Sequence, residues 1–184
     1  MSTALLLIDV QQAFDDPSWG PRNNPQAEAR IADLLKAFRA AGLPVVHVKH
    51  DSVEPDSTLR PDRPGNAFKL EALPAGAEPT FSKTVNSAFI GTGLEAYLRD
   101  HGITALVIAG ITTNHCVSTS TRMAGNLGFR TTLVSDACAT FDFRDEEGVI
   151  PAATMHRIGL AELRGEFAEI GTAAETIATL GSGL

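Results

Sequence analysis

The chain has 184 residues, 43% of them hydrophobic and 20% charged, with a formal net charge of −7. This is enough apolar material for a single domain, residues 1–184, with a substantial core, and it excludes a disordered chain. Only four lysines are present (Lys36, Lys49, Lys69 and Lys83) and the arginines are scattered, which argues against a nucleic-acid partner, because phosphate binding needs clustered cations.

Leu5–Ile8 is a continuous apolar run, the pattern of a strand covered on both faces. It has neither the basic flank nor the small-residue cleavage site of a secretion signal. A polar loop spans 15–25. Within 26–41, Ile31, Leu34, Leu35, Phe38 and Ala41 recur at helical spacing, closed by Gly42 and Pro44. Val45–Val48 reads as a second strand. The segment 51–79 carries five prolines and no regular pattern, as expected of a lid or binding surface. A short strand at 80–83 precedes a helix at 92–101, stopped by Gly102. The most apolar strand, 105–109, leads into a helix at 115–127, ended by Gly128. A strand at 131–135, a helix at 146–163, a strand at 167–170 and a helix at 172–180 complete the pattern. No stretch reaches the ~18 apolar residues of a membrane span.

Six strands alternating with helices predict a three-layer α/β fold with a parallel sheet. Ligands of such sheets bind beyond the carboxyl ends of the strands, where strand order reverses. Asp9 ends the first strand, Lys83 ends the third, and Cys116 lies in the first turn of the helix after the fourth. With Asn114 as N-cap, Cys116 takes the second helical position, where free N–H groups and the macrodipole favour a thiolate. A nearby ammonium lowers the thiol pKa further, and a carboxylate accepts its proton. Backbone N–H groups of the 112–116 turn are placed to stabilise an oxyanion. Two cysteines without a secretion signal point to free thiols in a reducing compartment, hence to the cytoplasm. Cys138 reads as structural.

Four blocks resemble the isochorismatase-like cysteine hydrolases, a family that includes nicotinamidases and N-carbamoylsarcosine amidase. They are LLLIDVQQAF (5–14), SKTVNSAFIGTGLEAYL (82–98), VIAGITTNHCVSTSTRMAGNLGF (107–129) and SDACATFD (135–142). The resemblance covers essentially the whole chain, and the block around Cys116 is its most specific part. It implies a Rossmann-like sheet in the order 3-2-1-4-5-6 and a catalytic triad of Asp9, Lys83 and Cys116. It also implies a cis peptide between Ile111 and Thr112, an oxyanion hole from the N–H groups of Thr112 and Cys116, and a homodimer or homotetramer.

Nicotinamidases of the family carry an Asp-x-His motif after the second strand and a further His in the next loop. Here that region reads His47-Val48-Lys49-His50-Asp51, and 52–79 contains no histidine. His47 and His50, three apart on a strand, face opposite sides. No metal is therefore expected, and His47 and His50 read as packing or hydrogen-bonding residues. Weaker pocket candidates are Gln11, placed to orient Asp9 or Lys83, and Phe14, Trp19, Asn86 and Phe89. His115 is a candidate pocket wall or helix cap; neighbouring helical residues point ~100° apart, which works against a Cys–His dyad. Arg144 could meet an anionic ligand or a neighbouring subunit.

The expectation is a metal-independent, cofactor-free cysteine hydrolase that cleaves a small-molecule amide through a thioester, with no nucleic-acid or membrane partner. Three alternatives stay open. One is a vinyl-ether hydrolase. A second is a phosphatase with an aspartate nucleophile, disfavoured because Gln11 stands where a second metal-binding aspartate belongs. The third is a non-catalytic binding module. No G-x-G-x-x-G follows the first strand, which argues against a dinucleotide site.

Overall fold

The computed structural model of the chain describes residues 2–180. The first strand, β1 (Ser2–Ile8), is central, and its alternating side chains feed two different cores. Ala4, Leu6 and Ile8 pack with Val46, Val48, Leu106 and Ile108 on one side. Leu5 and Leu7 pack with Val45, Val107 and Ala109 on the other. Burial on both faces is why the run is apolar at every position rather than at alternate ones.

Helix α1 (Ala27–Ala40) lays Ile31, Leu34, Leu35 and Phe38 on the second core, and the chain returns as β2 (Val45–His50), parallel to β1. A long irregular crossover, 51–79, leads to the edge strand β3 (Thr80–Lys83). Helix α2 (Leu94–Asp100) then brings β4 (Ile103–Ile111) to the other side of β1. One turn of π-helix (Thr113–Val117) runs into α3 (Ser118–Asn126), followed by β5 (Arg130–Ala139). The hairpin β6 (Phe143–Asp145) and β7 (Gly148–Ile150) precedes α4 (Ala152–Leu163), β8 (Glu169–Gly171) and α5 (Ala173–Leu180). The main sheet has the order β3-β2-β1-β4-β5-β8 and all its pairings are parallel. This is the expected order, with β8 in the sixth place because the hairpin strands come before it in the chain.

Helices α1 and α5 cover one face through Phe38 and Ala173, and α2, α3 and α4 cover the other through Leu98, Ala124 and Leu163. Strand order reverses between β1 and β4, so their carboxyl ends open the crevice where such folds bind ligands. Gly110 makes that junction possible. Its φ is +147°, and a Cβ there would stand 2.0 Å from the Ile8 carbonyl oxygen. Only glycine lets β4 approach β1 so closely just before the chain turns toward Cys116.

The structure corrects two element boundaries. The segment 143–150 is a hairpin, not the start of a helix. The Asp145 carboxylate accepts N–H bonds from Glu147 (2.9 Å) and Gly148 (3.0 Å), closing a tight turn that Gly148 completes at φ +136°. Helix α4 starts only after Pro151, with the Asp142 carboxylate accepting the Ala152 N–H at 2.8 Å. The turn carrying Cys116 is likewise not an α-helix capped by Asn114. The Thr112 carbonyl accepts from both His115 (3.2 Å) and Val117 (3.3 Å), giving a wider turn. The Asn114 side chain is turned away from the cap position and accepts a hydrogen bond from the Thr140 hydroxyl.

Candidate active site

Asp9 follows the last residue of β1 and is completely buried. Its backbone is left-handed, φ +54°, a conformation that Asp adopts more readily than most residues. The Asp9 N–H bonds the Val48 carbonyl at 2.9 Å, and the Asp9 carbonyl accepts from Gln11 at 2.9 Å, so the chain bends sharply out of the sheet here. Lys83 ends β3, two strands away, opposite His50 in register. Its side chain crosses the end of β2 and donates to the Asp9 carboxylate at 2.7 Å and to His50 Nδ1 at 3.0 Å. Cys116 is half-buried on the π-turn after β4, and donor atoms of Asp9, His50 and Cys116 all lie within 4.8 Å of one another. Three groups from three strand ends therefore meet, together with a fourth, His50.

The electrostatics follow from this burial. Desolvation pushes the Asp9 carboxyl above its ordinary value against the pull of Lys83, making it a stronger base than an exposed carboxylate. Burial, and then the charge of Asp9, push the Cys116 thiol up to about 12, with Lys83 pulling the other way. The resting cysteine is thus a thiol, not the thiolate that a helix N-terminus would favour. Burial and the Lys83 ammonium hold His50 down to about 4, so its imidazole is neutral near pH 7.

The peptide bond between Ile111 and Thr112 is cis. The Thr112 hydroxyl meets His115 Nδ1 at 3.1 Å, and His115 is exposed. His115 therefore borders the turn and makes no dyad with Cys116. Around the turn, the Thr113 hydroxyl bonds His156 Nδ1 at 2.8 Å, and the Asn23 side chain accepts the Thr140 N–H at 2.7 Å. Asn24 donates to the carbonyls of Ser135 (3.0 Å) and Cys138 (2.7 Å). The loop 15–25 is thereby tied to the end of β5 and, through Thr140 and Asn114, to the turn that carries Cys116.

The weaker candidates are held by other contacts. Gln11 is fully buried, but its amide clamps the backbone of His50 and the carbonyl of Asn66 and does not meet the side chains of Asp9 or Lys83. Phe14 and Trp19 pack with Phe141, ring centroids 5.0 to 6.1 Å apart, in an apolar cluster with Ile111. The Trp19 indole N–H is buried with no acceptor among the described residues. Phe89 is partly buried, stacks on Phe129 at 6.1 Å and packs against the main core. Asn86 is exposed, and its carbonyl accepts from Ser120 at 3.4 Å. Arg144 sits on the exposed hairpin, and Cys138 is buried and unpaired as a structural thiol should be. His47 and His50 do face opposite sides: His47 bonds Glu78 at 2.9 Å while His50 turns to Lys83.

His50 is the hydrogen-bonding residue that the sequence led one to expect, and its side-chain partner is Lys83. The strand-end rule that selects Asp9 and Lys83 also selects His50, the last residue of β2. With Asp9 and Cys116 it makes a mixed donor set, in which Lys83 donates to Asp9 Oδ2 and meets His50 Nδ1, while Asp9 Oδ1 is buried with no partner among the described residues.

Residues 3–175 match the isochorismatase domain. The chain belongs to the isochorismatase family. Members of this family are hydrolases. The chain is 49% identical over 175 residues to the isochorismatase family protein YrdC of Bacillus subtilis (strain 168), covering 95% of this chain and 94% of that one. It is similar to an isochorismatase-family crystal structure from Chromobacterium violaceum ATCC 12472, with TM-score 0.95 and 53% identity over 98% of this chain and 94% of the other. It is also 30% identical over 150 residues to maleamate amidohydrolase of Pseudomonas putida, covering 72% of this chain and 70% of that enzyme. Among the described residues, no helix of this isochorismatase-family chain is long and apolar enough to cross a membrane.

Proposed function

We propose that this isochorismatase-family chain is a metal-independent cysteine hydrolase that cleaves a C–N bond in a small amide. The observation that carries the reading is the buried Asp9–Lys83 pair, 2.7 Å apart, set against the Cys116 thiol. A thiol held near pKa 12 needs a base in the same step as attack, and the raised Asp9 carboxylate is the base at hand.

In this mechanism Asp9 takes the Cys116 proton as the sulfur bonds to the amide carbonyl carbon. The oxyanion is held by the N–H groups of Thr112 and Cys116. The C–N bond then breaks, Asp9 gives its proton to the leaving amine, and a thioester remains on Cys116. Water attacks the thioester while losing a proton to Asp9. The C–S bond breaks, the acid leaves, and the proton returns to sulfur. Lys83 keeps Asp9 in place and offsets the negative charge passing between the oxygen and the sulfur. Its ammonium meets Asp9 Oδ2 and His50 Nδ1, which supplies a positive charge beside the sulfur without a metal and supports the metal-independent reading. The similarity to maleamate amidohydrolase supports an amide over a vinyl ether.

The reading extends to a small-molecule substrate, a cytoplasmic setting and a homodimer or homotetramer, the last supported by the exposed Phe143, Val149 and Ile158. Ammonia release from a panel of small primary amides tests the chemistry. Release by wild type, and none by Cys116→Ala with an unchanged circular dichroism spectrum, is expected. Equal release by both proteins rules out the cysteine mechanism.

A further inference from the structure

His50 combines three features that the triad does not use. Its backbone is held on both sides by Gln11, whose Oε1 accepts the His50 N–H at 2.8 Å and whose Nε2 donates to the His50 carbonyl at 3.1 Å. Asn66 donates to the same carbonyl at 3.1 Å. The imidazole is therefore presented from a fixed strand end rather than from a mobile loop.

Its tautomer is determined as well. An ammonium has hydrogens to give and no lone pair, so the 3.0 Å contact from Lys83 Nζ makes Nδ1 the acceptor. A neutral imidazole with Nδ1 as acceptor carries its proton on Nε2. That Nε2–H has no partner among the described residues, yet it is not among their enclosed, unpartnered polar atoms. It belongs to a half-buried ring lying within 4.8 Å of the reactive atoms of Asp9 and Cys116.

We propose that His50 is a substrate-binding residue whose Nε2–H donates a hydrogen bond to an oxygen of the amide substrate beside Cys116. The inference rests on the amide-hydrolase reading and adds to it a chemical class. The favoured substrate carries an oxygen acceptor, a carbonyl or a carboxylate, next to the carbon that sulfur attacks. A cationic group at that position is disfavoured, because it meets an N–H donor with the Lys83 ammonium behind it.

Alkylation of Cys116 tests this without relying on turnover. Iodoacetamide is an amide with a carbonyl oxygen beside the carbon attacked, whereas iodomethane has no acceptor. Each reaction forms one S–C bond, expels iodide and leaves the thiol proton with Asp9 or water. His50→Asn keeps an acceptor oxygen for Lys83 in place of Nδ1 and removes the Nε2–H. Rates are read by mass spectrometry of the Cys116 peptide. The expected result is a drop of about fivefold to tenfold with iodoacetamide, the size of one lost hydrogen bond, and an iodomethane rate within about twofold of wild type on the same scale. Equal drops with both reagents mean that His50 acts only through Lys83 and overturn the donor role; unchanged rates with both overturn it too. Nitrogen NMR of labelled histidine in wild type is the check if His50→Asn does not fold: the proton is expected on Nε2, and a proton on Nδ1 contradicts the proposal. Absence of amide hydrolysis with the alkylation pattern intact would count against the hydrolase reading and leave the donor role standing.

Discussion

Lys83 and Asp9 stand 74 positions apart in the chain and two strands apart in the sheet, yet they form a wholly buried ion pair 2.7 Å long. Such a pair is expensive to desolvate and is weak support for stability. Its place beside a half-buried thiol fits the base role proposed for Asp9.

Removing single charges around the sulfur separates nucleophile chemistry from catalysis. The Asp9 charge raises the Cys116 pKa and the Lys83 charge lowers it. Asp9→Asn should therefore speed iodoacetamide alkylation of Cys116 at a fixed pH, while amide hydrolysis falls by about 10²–10⁴-fold through loss of the base. Lys83→Met should slow alkylation. Unchanged hydrolysis in Asp9→Asn would show that Asp9 is not the base.

Hydrolysis should also fall toward acid. Asp9 must be ionised to accept the thiol proton, and burial raises its pKa above the ordinary 3.8. The acid limb of the kcat/KM profile is accordingly expected above that value, and Asp9→Asn should abolish the limb. A profile flat down to pH 4 would remove Asp9 from the proton path.

How much of this was legible in the sequence depends on the range of the interaction. The apolar run before Asp9 and the strand end at Lys83 are local patterns, and both residues sit where those patterns put them. The cysteine turn is governed by distant partners. Asn114 looks like a cap until Thr140, 26 positions on, takes its side chain. His50 becomes a site residue only through the β2–β3 register that sets it opposite Lys83. The stacking of Phe89 on Phe129, 40 positions on, is likewise invisible in the local pattern. The acidic run at 145–147 has helical composition, but the Asp145 carboxylate and Gly148 close a turn first.

Gly110→Ala should be among the most damaging single substitutions away from the triad. The new Cβ would lie 2.0 Å from the Ile8 oxygen, against central-strand backbone that cannot move aside. A loss above about 3 kcal/mol is expected in urea unfolding. A midpoint near wild type would mean that β4 can shift away from β1.

Glu28 anchors the crossover segment to α1, bonded by Arg22 at 2.8 Å and by Lys69 at 2.7 Å. Burial pushes its carboxyl up, but the bonds from Arg22 and Lys69 outweigh this and hold it at about 2, below the ordinary 4.5. A lowered folded-state pKa gives stability that is present above pH 4.5 and is lost as pH falls toward 2. Glu28→Gln should therefore cost about 2 kcal/mol at pH 7 and little near pH 2 in urea titrations. A cost independent of pH would show that packing, not charge, holds this corner.

The most direct measurement is intact-mass spectrometry of the protein mixed with an amide that it hydrolyses and quenched in acid within one turnover. Wild type should carry the mass of the acyl group on the peptide containing Cys116, and Cys116→Ala should carry none. Steady hydrolysis with no acyl mass at any quench time, or an acyl group on another residue, would contradict attack by Cys116.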